Sequence, residues 1–220
     1  SYNESSQNSS GQKSTKGQKP TEKELEEAPV DSTLPVINPN KIKTTASMSK
    51  QTMTIKLGTL NADNCLVEYR KYGAKNWESV WYGAGSELVI KNMKKNGFYQ
   101  YRFTTVKKVD GQWLKSKASN TCYRWIKNVK AKKPSAGKKR ITVKWNKVKN
   151  SSGYEVQYAT NKAFTKNAKK VTVKGAKKTS KTIKGLKKGK AYYVRIRPYK
   201  TKGGKKYLGI YTTAKKVKAK

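Results

Sequence analysis

Histidine is absent from this chain of 220 residues, cysteine occurs twice, and only 12 acidic residues face 52 basic ones. Each shortage removes a class of chemistry. Without histidine the commonest general base and metal ligand is missing. Two cysteines with no histidine cannot build a typical zinc site, so no metal is expected. Beyond residue 45 the acids are Asp63, Glu68, Glu78, Glu87, Asp110 and Glu155. From residue 128 onward Glu155 stands alone, so that half holds no carboxylate pair for acid–base work. No phosphate-cradling glycine loop, nucleophile elbow or Cys-x-x-Cys occurs. The expectation is a non-enzyme with no catalytic residue and no cofactor. No stretch approaches the ~18 uncharged apolar residues of a membrane helix, so no span is expected. The chain does not start with Met and shows no signal peptide; it reads as a mature or trimmed product, from which export cannot be read directly.

What is present is positive charge, unevenly placed. Residues 1–45 carry six Lys and six acids, residues 46–127 carry 15 basic and five acidic residues, and residues 128–220 carry 31 basic residues and one acid. A unit of this size at net +30 repels itself. An anionic partner would offset that repulsion.

The composition changes near residue 45. Residues 1–44 are rich in Ser, Gln, Lys, Asn and Glu, hold Pro20, Pro29, Pro35 and Pro39, and have few large apolar side chains. Such a segment is expected to be a disordered linker. Within it, Thr21-Glu22-Lys23-Glu24 matches a capping box that could start a short helix through Glu27. The sharper alternative is that Glu22, Glu24, Glu26 and Glu27 dock on the protein's own basic surface. From Thr45 the apolar period becomes two. Ile141, Val143 and Trp145, then Tyr154, Val156 and Tyr158, then Tyr192, Val194 and Ile196 alternate with polar residues, as half-buried strands do. Gly-, Asn- and Lys-rich turns separate them.

The same grammar occurs twice. Met53–Leu57 matches Ile141–Trp145, Cys65–Tyr69 matches Tyr154–Tyr158, and Tyr99, Tyr101 and Phe103 match Tyr192, Val194 and Ile196. From Leu57 to Tyr99 is 42 residues, and from Trp145 to Tyr192 is 47. Two copies of one fold explain this better than one large sheet. The most telling segment is Gly185-Leu186-Lys187-Lys188-Gly189-Lys190-Ala191-Tyr192, whose counterpart is Asn92-Met93-Lys94-Lys95-Asn96-Gly97-Phe98-Tyr99. In each, an apolar residue precedes by six positions a Tyr that opens a strand.

Trp145, Leu186, Gly189, Tyr192, Val194 and Ile196 together resemble fibronectin type III domains. The first copy departs from the pattern, with Leu57 for the Trp, Met93 for the Leu and Asn96 for the Gly. The resemblance implies an all-β chain: two tandem seven-stranded antiparallel β-sandwiches, a degenerate one at 45–127 and a strongly basic one at 128–220, after the segment 1–44. It makes Trp145, Leu186, Tyr192 and Tyr99 structural, each Tyr burying its ring and returning its hydroxyl to backbone just upstream. The Lys- and Thr-rich style is similar to such modules in secreted or cell-surface proteins of Gram-positive, clostridial-type bacteria, which implies that location and a spacer or adhesive role. Cys65 and Cys122 are the one pair that could form a disulfide. In this fold a third strand separates theirs, about 9.6 Å apart, beyond the usual reach of under ~7 Å; a bridge requires the last strand to leave the sheet early.

The remaining signal is surface. Lys144, Lys174, Lys177, Lys178, Lys181, Lys184, Lys187, Lys188, Arg195 and Arg197 are the candidate polyanion-binding residues. Arg195 and Arg197 should lie near Glu155 and Gln157, with Glu155 pairing to one Arg for less than ~1 kcal/mol. With 46 Lys against six Arg, the attraction is diffuse rather than bidentate. Anionic wall polymer or an acidic host glycan is the leading partner, with a plain solvated surface as the alternative. Nucleic acid would bind such charge only non-specifically. Trp77, Trp81, Tyr82 and Trp113 could instead form an aromatic contact for sugar or a host protein. Tyr123 and Trp125 could join the partner-binding patch or pack the junction between domains.

Overall fold

The computed structural model describes residues 13–220. Among these, one short helix, α1 (Glu22–Glu27), and one 3-10 turn at Pro39–Lys41 interrupt an otherwise all-β chain. The strands are β1 (Lys43–Ser47), β2 (Thr52–Lys56), β3 (Asn64–Lys71), β4 (Glu78–Trp81), β5 (Leu88–Ile90), β6 (Phe98–Val109), β7 (Gln112–Lys115) and β8 (Cys122–Trp125). They continue with β9 (Ser135–Gly137), β10 (Arg140–Lys144), β11 (Gly153–Ala159), β12 (Lys169–Lys174), β13 (Ser180–Ile183), β14 (Ala191–Lys202), β15 (Lys205–Leu208) and β16 (Lys215–Lys218). The chain falls into two compact units. The first takes the described residues up to Thr45 with Met53–Ile90 and Gln100–Cys122; the second takes Ala46–Thr52, Lys91–Tyr99 and Tyr123–Lys220.

In the first half, β1-β2-β5 form a three-stranded sheet, while β6, β3 and β4 are neighbours in the other. Alternation sends Met53 and Ile55 of β2 and Cys65, Val67 and Phe103 of β3 and β6 fully inward. In the second unit β13-β10-β9 form one sheet and β12-β11-β14 the core of the other. Ile141, Val143, Trp145 and Ile183 from the first meet Tyr154, Val156, Tyr192, Val194 and Ile196 from the second in one apolar cluster. Trp145 stands 5.1 Å from the Tyr154 ring.

The corner motif has the geometry that its sequence implies. The Tyr192 hydroxyl accepts the amide of Lys187 at 2.9 Å, and the Tyr99 hydroxyl accepts that of Lys94 at 2.8 Å. Gly185 and Gly189 have φ 72° and 75°, and Asn92 and Asn96 reproduce these with 62° and 64°. Asn is the side-chain-bearing residue that most readily enters this left-handed region, so it replaces Gly at modest cost. Met93 and Leu186 are both buried.

Part of the segment expected to be a disordered linker is instead built onto the first unit; its residues 1–12 lie outside the described ones. Asp63 Oδ2 accepts Thr15 Oγ1 at 2.7 Å, and the Asn64 amide donates to the carbonyls of Gly17 and Gln18. The capping box forms, with Thr21 and Glu24 bonded reciprocally. Leu25 and Ala28 then pack on Val106, Trp113 and Trp81. Val30 bridges Lys115 of β7 in parallel, with Asp31 N donating to Lys115 O at 2.8 Å and Lys115 N to Pro29 O at 3.1 Å. Four prolines and few apolar residues do not preclude order here, because the unit supplies the apolar partner and a strand edge. Lys115 Nζ donates to the backbone carbonyls of Leu25 and Glu26, and among the glutamates Glu24 feels the charge of Lys108.

Cys65 and Cys122 are not joined in a disulfide. Cys65 is buried on β3, β6 lies between β3 and β8, and Cys122 opens β8. The sheet does break after β7, at residues 116–121, but Ser116 and Ser119 hold that stretch against β6. Thr105 N donates to Ser116 Oγ and Phe103 N to Ser119 Oγ, each at 2.9 Å. The final strand therefore returns to its place beside β6, and the disulfide anticipated as an option does not form.

Candidate functional site

The ten basic candidates do not form one patch. Lys144 pairs with Ser180 and Ile141 with Ile183 across β10 and β13. Lys174 pairs with Gly153, and the turn after it carries Lys177 and Lys178 to Ser180. Lys144, Lys174, Lys177 and Lys178 thus sit exposed at one end of the second unit. Lys184, Lys187 and Lys188 sit exposed at the opposite, corner-loop end, a strand length of roughly 15–20 Å away. Lys181 lies between, half-buried opposite Val143 on edge strand β13.

Arg195 and Arg197 belong to a different construction, which the sequence showed only in outline. Arg195 donates Nε to Gln157 at 2.6 Å, and Arg197 donates Nε to Glu155 Oε1 at 2.9 Å. Both guanidinium carbons lie 4.1 Å from the centre of the Tyr211 ring, and Arg195 also lies 4.1 Å from Phe164. Two planar guanidinium groups cannot stand at that distance on one face, so they cover opposite faces of Tyr211. Lys206 follows, with Nζ 2.6 Å from Glu155 Oε2 and 4.3 Å from the centre of the Tyr199 ring. Lys170 adds a contact of 3.6 Å to Glu155.

Glu155 is consequently 1% exposed, not an outward surface acid. Burial pushes its carboxyl up, but Arg197, the Lys206 hydrogen bond and Lys170 outweigh this and hold it below the ordinary value of 4.5. Sequence reasoning foresaw the pairing with one Arg, but not its burial or the role of Tyr211. Tyr211 follows Gly209, whose amide bonds to Pro198 O at 2.7 Å; a Cβ there would meet that oxygen at 2.6 Å. This close approach lays the 209–212 segment over β14 and delivers the ring.

The first unit carries a shorter version. Arg70 and Arg102 lie 4.2 and 4.1 Å from the centre of Trp77, Arg70 Nε donates to Gln100 at 2.9 Å, and Arg102 Nε donates to Glu68 at 3.0 Å. By the same steric argument both faces of Trp77 are covered. The other candidate contact aromatics are also taken up internally. Trp113 is buried, Trp81 packs on the Trp113 cluster, and Tyr82 is buried with its hydroxyl 3.3 Å from Leu57 N. In the second unit Trp125 stacks on Phe98 at 5.3 Å, and Tyr123 and Phe98 meet Tyr207 edge-on at 5.1 and 5.4 Å.

Among the described residues no cluster of three or more His, Cys, Asp or Glu could hold a metal ion, and no helix is long and apolar enough to cross a membrane. The architecture is that of an antiparallel β-sandwich pinned by a tyrosine corner. Residues 126–212 match the fibronectin type III domain family. Domains of this family are typically non-catalytic and are common in extracellular proteins.

Two archaeal sequences are similar over a short stretch. A Kelch domain-containing protein of Sulfurisphaera tokodaii is 42% identical over 69 residues, 31% of this chain, and Kelch domain-containing protein SSO1033 of Saccharolobus solfataricus is 39% identical over the same length. The match spans only 9% of each of those proteins. Among solved structures, the chicken CNTN1 FN1–FN3 domains share 18% identity at TM-score 0.38, over 87% of this chain and 68% of that one. A two-domain fibronectin type III segment of chicken tenascin shares 16% at TM-score 0.35, over 81% and 98%.

Proposed function

We propose that this chain is a non-catalytic pair of tandem fibronectin type III modules from a secreted or cell-surface protein of a Gram-positive bacterium. In this reading the second module associates through its lysines with anionic polymer, either wall polymer or an acidic host glycan, and the first serves as spacer and support. The observation that carries the reading is the fate of the acids. The second unit has one carboxylate side chain, Glu155, and three cations of its own interior cluster already consume it. The lysines at both ends of the unit are exposed and have no carboxylate side chain of that unit to neutralise them. Such an excess of point charge attracts any dense polyanion and weakens with salt.

The alternative, a host protein held by Trp77, Trp81, Tyr82 and Trp113, is the second reading, because Tyr82 and Trp113 are buried and the half-buried Trp77 already packs against Arg70 and Arg102. The test is binding of the full chain to immobilised anionic polymers during a salt titration. Binding at physiological salt that disappears well below about 1 M supports the reading. Binding that persists at 1 M, or none at physiological salt, defeats it.

A further inference from the structure

We infer that the first unit carries an open aromatic slot on the face of Arg102, and that this slot receives a tyrosine-like ring presented by a partner polypeptide. The inference goes beyond the proposed polyanion association and uses none of the lysine-rich ends. It comes from matching the two units by their own hydrogen bonds. Ser119 N donates to Phe103 O and Thr212 N to Ile196 O, both at 2.8 Å. Phe103 N donates to Ser119 Oγ at 2.9 Å, and Ile196 N to Thr212 Oγ1 at 3.1 Å. Ser116 N meets Thr105 O as Gly209 N meets Pro198 O. Residues 99–127 and 192–220 therefore share one register without a gap, from corner tyrosine to last strand.

In this register Arg102 corresponds to Arg195, and Ala118 to Tyr211. The surroundings agree. Arg102 Nε donates to Glu68 at 3.0 Å, as Arg195 Nε does to Gln157 at 2.6 Å. Each guanidinium carbon lies 4.1 Å from the centre of one ring on the connection that follows the neighbouring strand, Trp77 after β3 and Phe164 after β11. Arg195 is covered on its second face by Tyr211, also at 4.1 Å. Arg102 has no second ring among the described residues. At the position of the Tyr211 phenol the first unit has only the methyl of Ala118, which is exposed, and the Arg102 side chain stays 32% exposed.

The chemistry of the occupant follows from which parts of Arg102 are already used. Glu68 takes its in-plane N–H groups, Nε at 3.0 Å and Nη2 at 3.3 Å. With that fork bonded, the guanidinium offers its flat face. A face attracts the electron-rich face of a ring and gives an anion no directed bond. The second unit shows a ring that fits, a phenol. One stacked face holds a free ring only weakly. The ring therefore arrives on a chain that adds contacts along Lys117, Ala118 and Asn120, all exposed beside the slot.

The experiment titrates the full chain with the peptide acetyl-Ile-Tyr-Thr-amide and, as control, acetyl-Ile-Ala-Thr-amide, following the arginine Nε–H signals by NMR. The signal lost in Arg102→Lys identifies Arg102. The tyrosine peptide should move that signal upfield, as a ring over the guanidinium face does, and the alanine peptide should leave it in place. Affinity should fall about threefold or more in Arg102→Lys, which keeps the charge but not the plane. Ala118→Tyr tests the slot without a ligand. Its own ring should move the Arg102 signal upfield, leave the melting temperature of the first unit unchanged or higher, and block the peptide. A lower melting temperature or an unmoved Arg102 signal in Ala118→Tyr overturns the slot. An equal response to both peptides, or none to millimolar tyrosine peptide, overturns the ring as ligand. Binding of N-acetyltyrosinamide as tight as that of the peptide overturns the polypeptide source in favour of a small aromatic molecule. None of these outcomes touches polymer binding, which the salt titration decides.

Discussion

Removing the carboxylate of Glu155 is expected to cost the second unit about 3 kcal/mol, at the low end of the range for breaking a buried ion pair. The size follows from which partner is stranded. The Lys170 and Lys206 side chains are 48% and 39% exposed and can turn to water, whereas that of Arg197 is 12% exposed and fixed over Tyr211. One guanidinium is therefore left buried without its counter-ion, while two ammonium groups recover hydration. For a unit of this size about 3 kcal/mol lowers the melting temperature by about 12–24 °C. Calorimetry of the full chain bearing Glu155→Gln measures this, with the first unit's transition as internal reference. The pH dependence has a definite sign. The folded carboxyl is held below its ordinary 4.5, so its stabilisation is complete above that value and is lost as pH falls through the lower, folded value. Glu155→Gln should abolish this acid-labile share. A shift under about 1 kcal/mol, the size of an exposed pair, would refute the claim that the cluster is a buried keystone.

Loss of one corner hydroxyl, Tyr192→Phe or Tyr99→Phe, should cost about 1 kcal/mol by denaturant titration, because the Lys187 or Lys94 amide loses its acceptor. Trp77→Ala should destabilise the first unit by more than 1 kcal/mol, as two cation–π contacts of about 0.5–1 kcal/mol each vanish along with ring burial; an unchanged melting temperature together with lost ligand binding would restore Trp77 as a contact residue. Under native conditions a thiol reagent should modify Cys122 rapidly and Cys65 only after unfolding, since Cys65 is buried and its thiol is pushed up to about 12; mass spectrometry counts the adducts, and a protected Cys122 would contradict its half-exposed position. Deleting residues 1–37 should destabilise the first unit and raise dye binding, because Ala28 and Leu34 are buried against it and β7 loses its neighbour.

The legible parts of the fold were those written in local patterns. Alternation of period two marked the strands, and the spacing from Leu186 to Tyr192 marked the corner down to its hydroxyl bond, because both depend on residues close in sequence. What escaped depended on distant partners. The segment from Lys13 to Ile37 looks like a linker by composition, yet Trp113 and the edge of β7 lie 75 or more residues away and give it something to pack on. Glu155 looks like one exposed acid of an alternating strand, yet Tyr211, 56 positions later, folds over it. Trp77 looks like an exposed contact until Arg70 and Arg102 arrive from two different strands.

These misses share a cause that bears on function. Both units place arginine on the outer sheet face beside a glutamate or glutamine and use it to clamp an aromatic ring. Five of the six arginines are engaged in this way or buried: Arg70, Arg102, Arg124, Arg195 and Arg197. The chain thus divides its cations by chemistry. Planar, weakly hydrated guanidinium groups are spent inside the structure, where stacking and bidentate bonding matter, and strongly hydrated ammonium groups are left outside. That division places Arg195 and Arg197, which the sequence put among the polyanion-binding candidates, in contacts with Gln157, Glu155 and the Tyr211 ring.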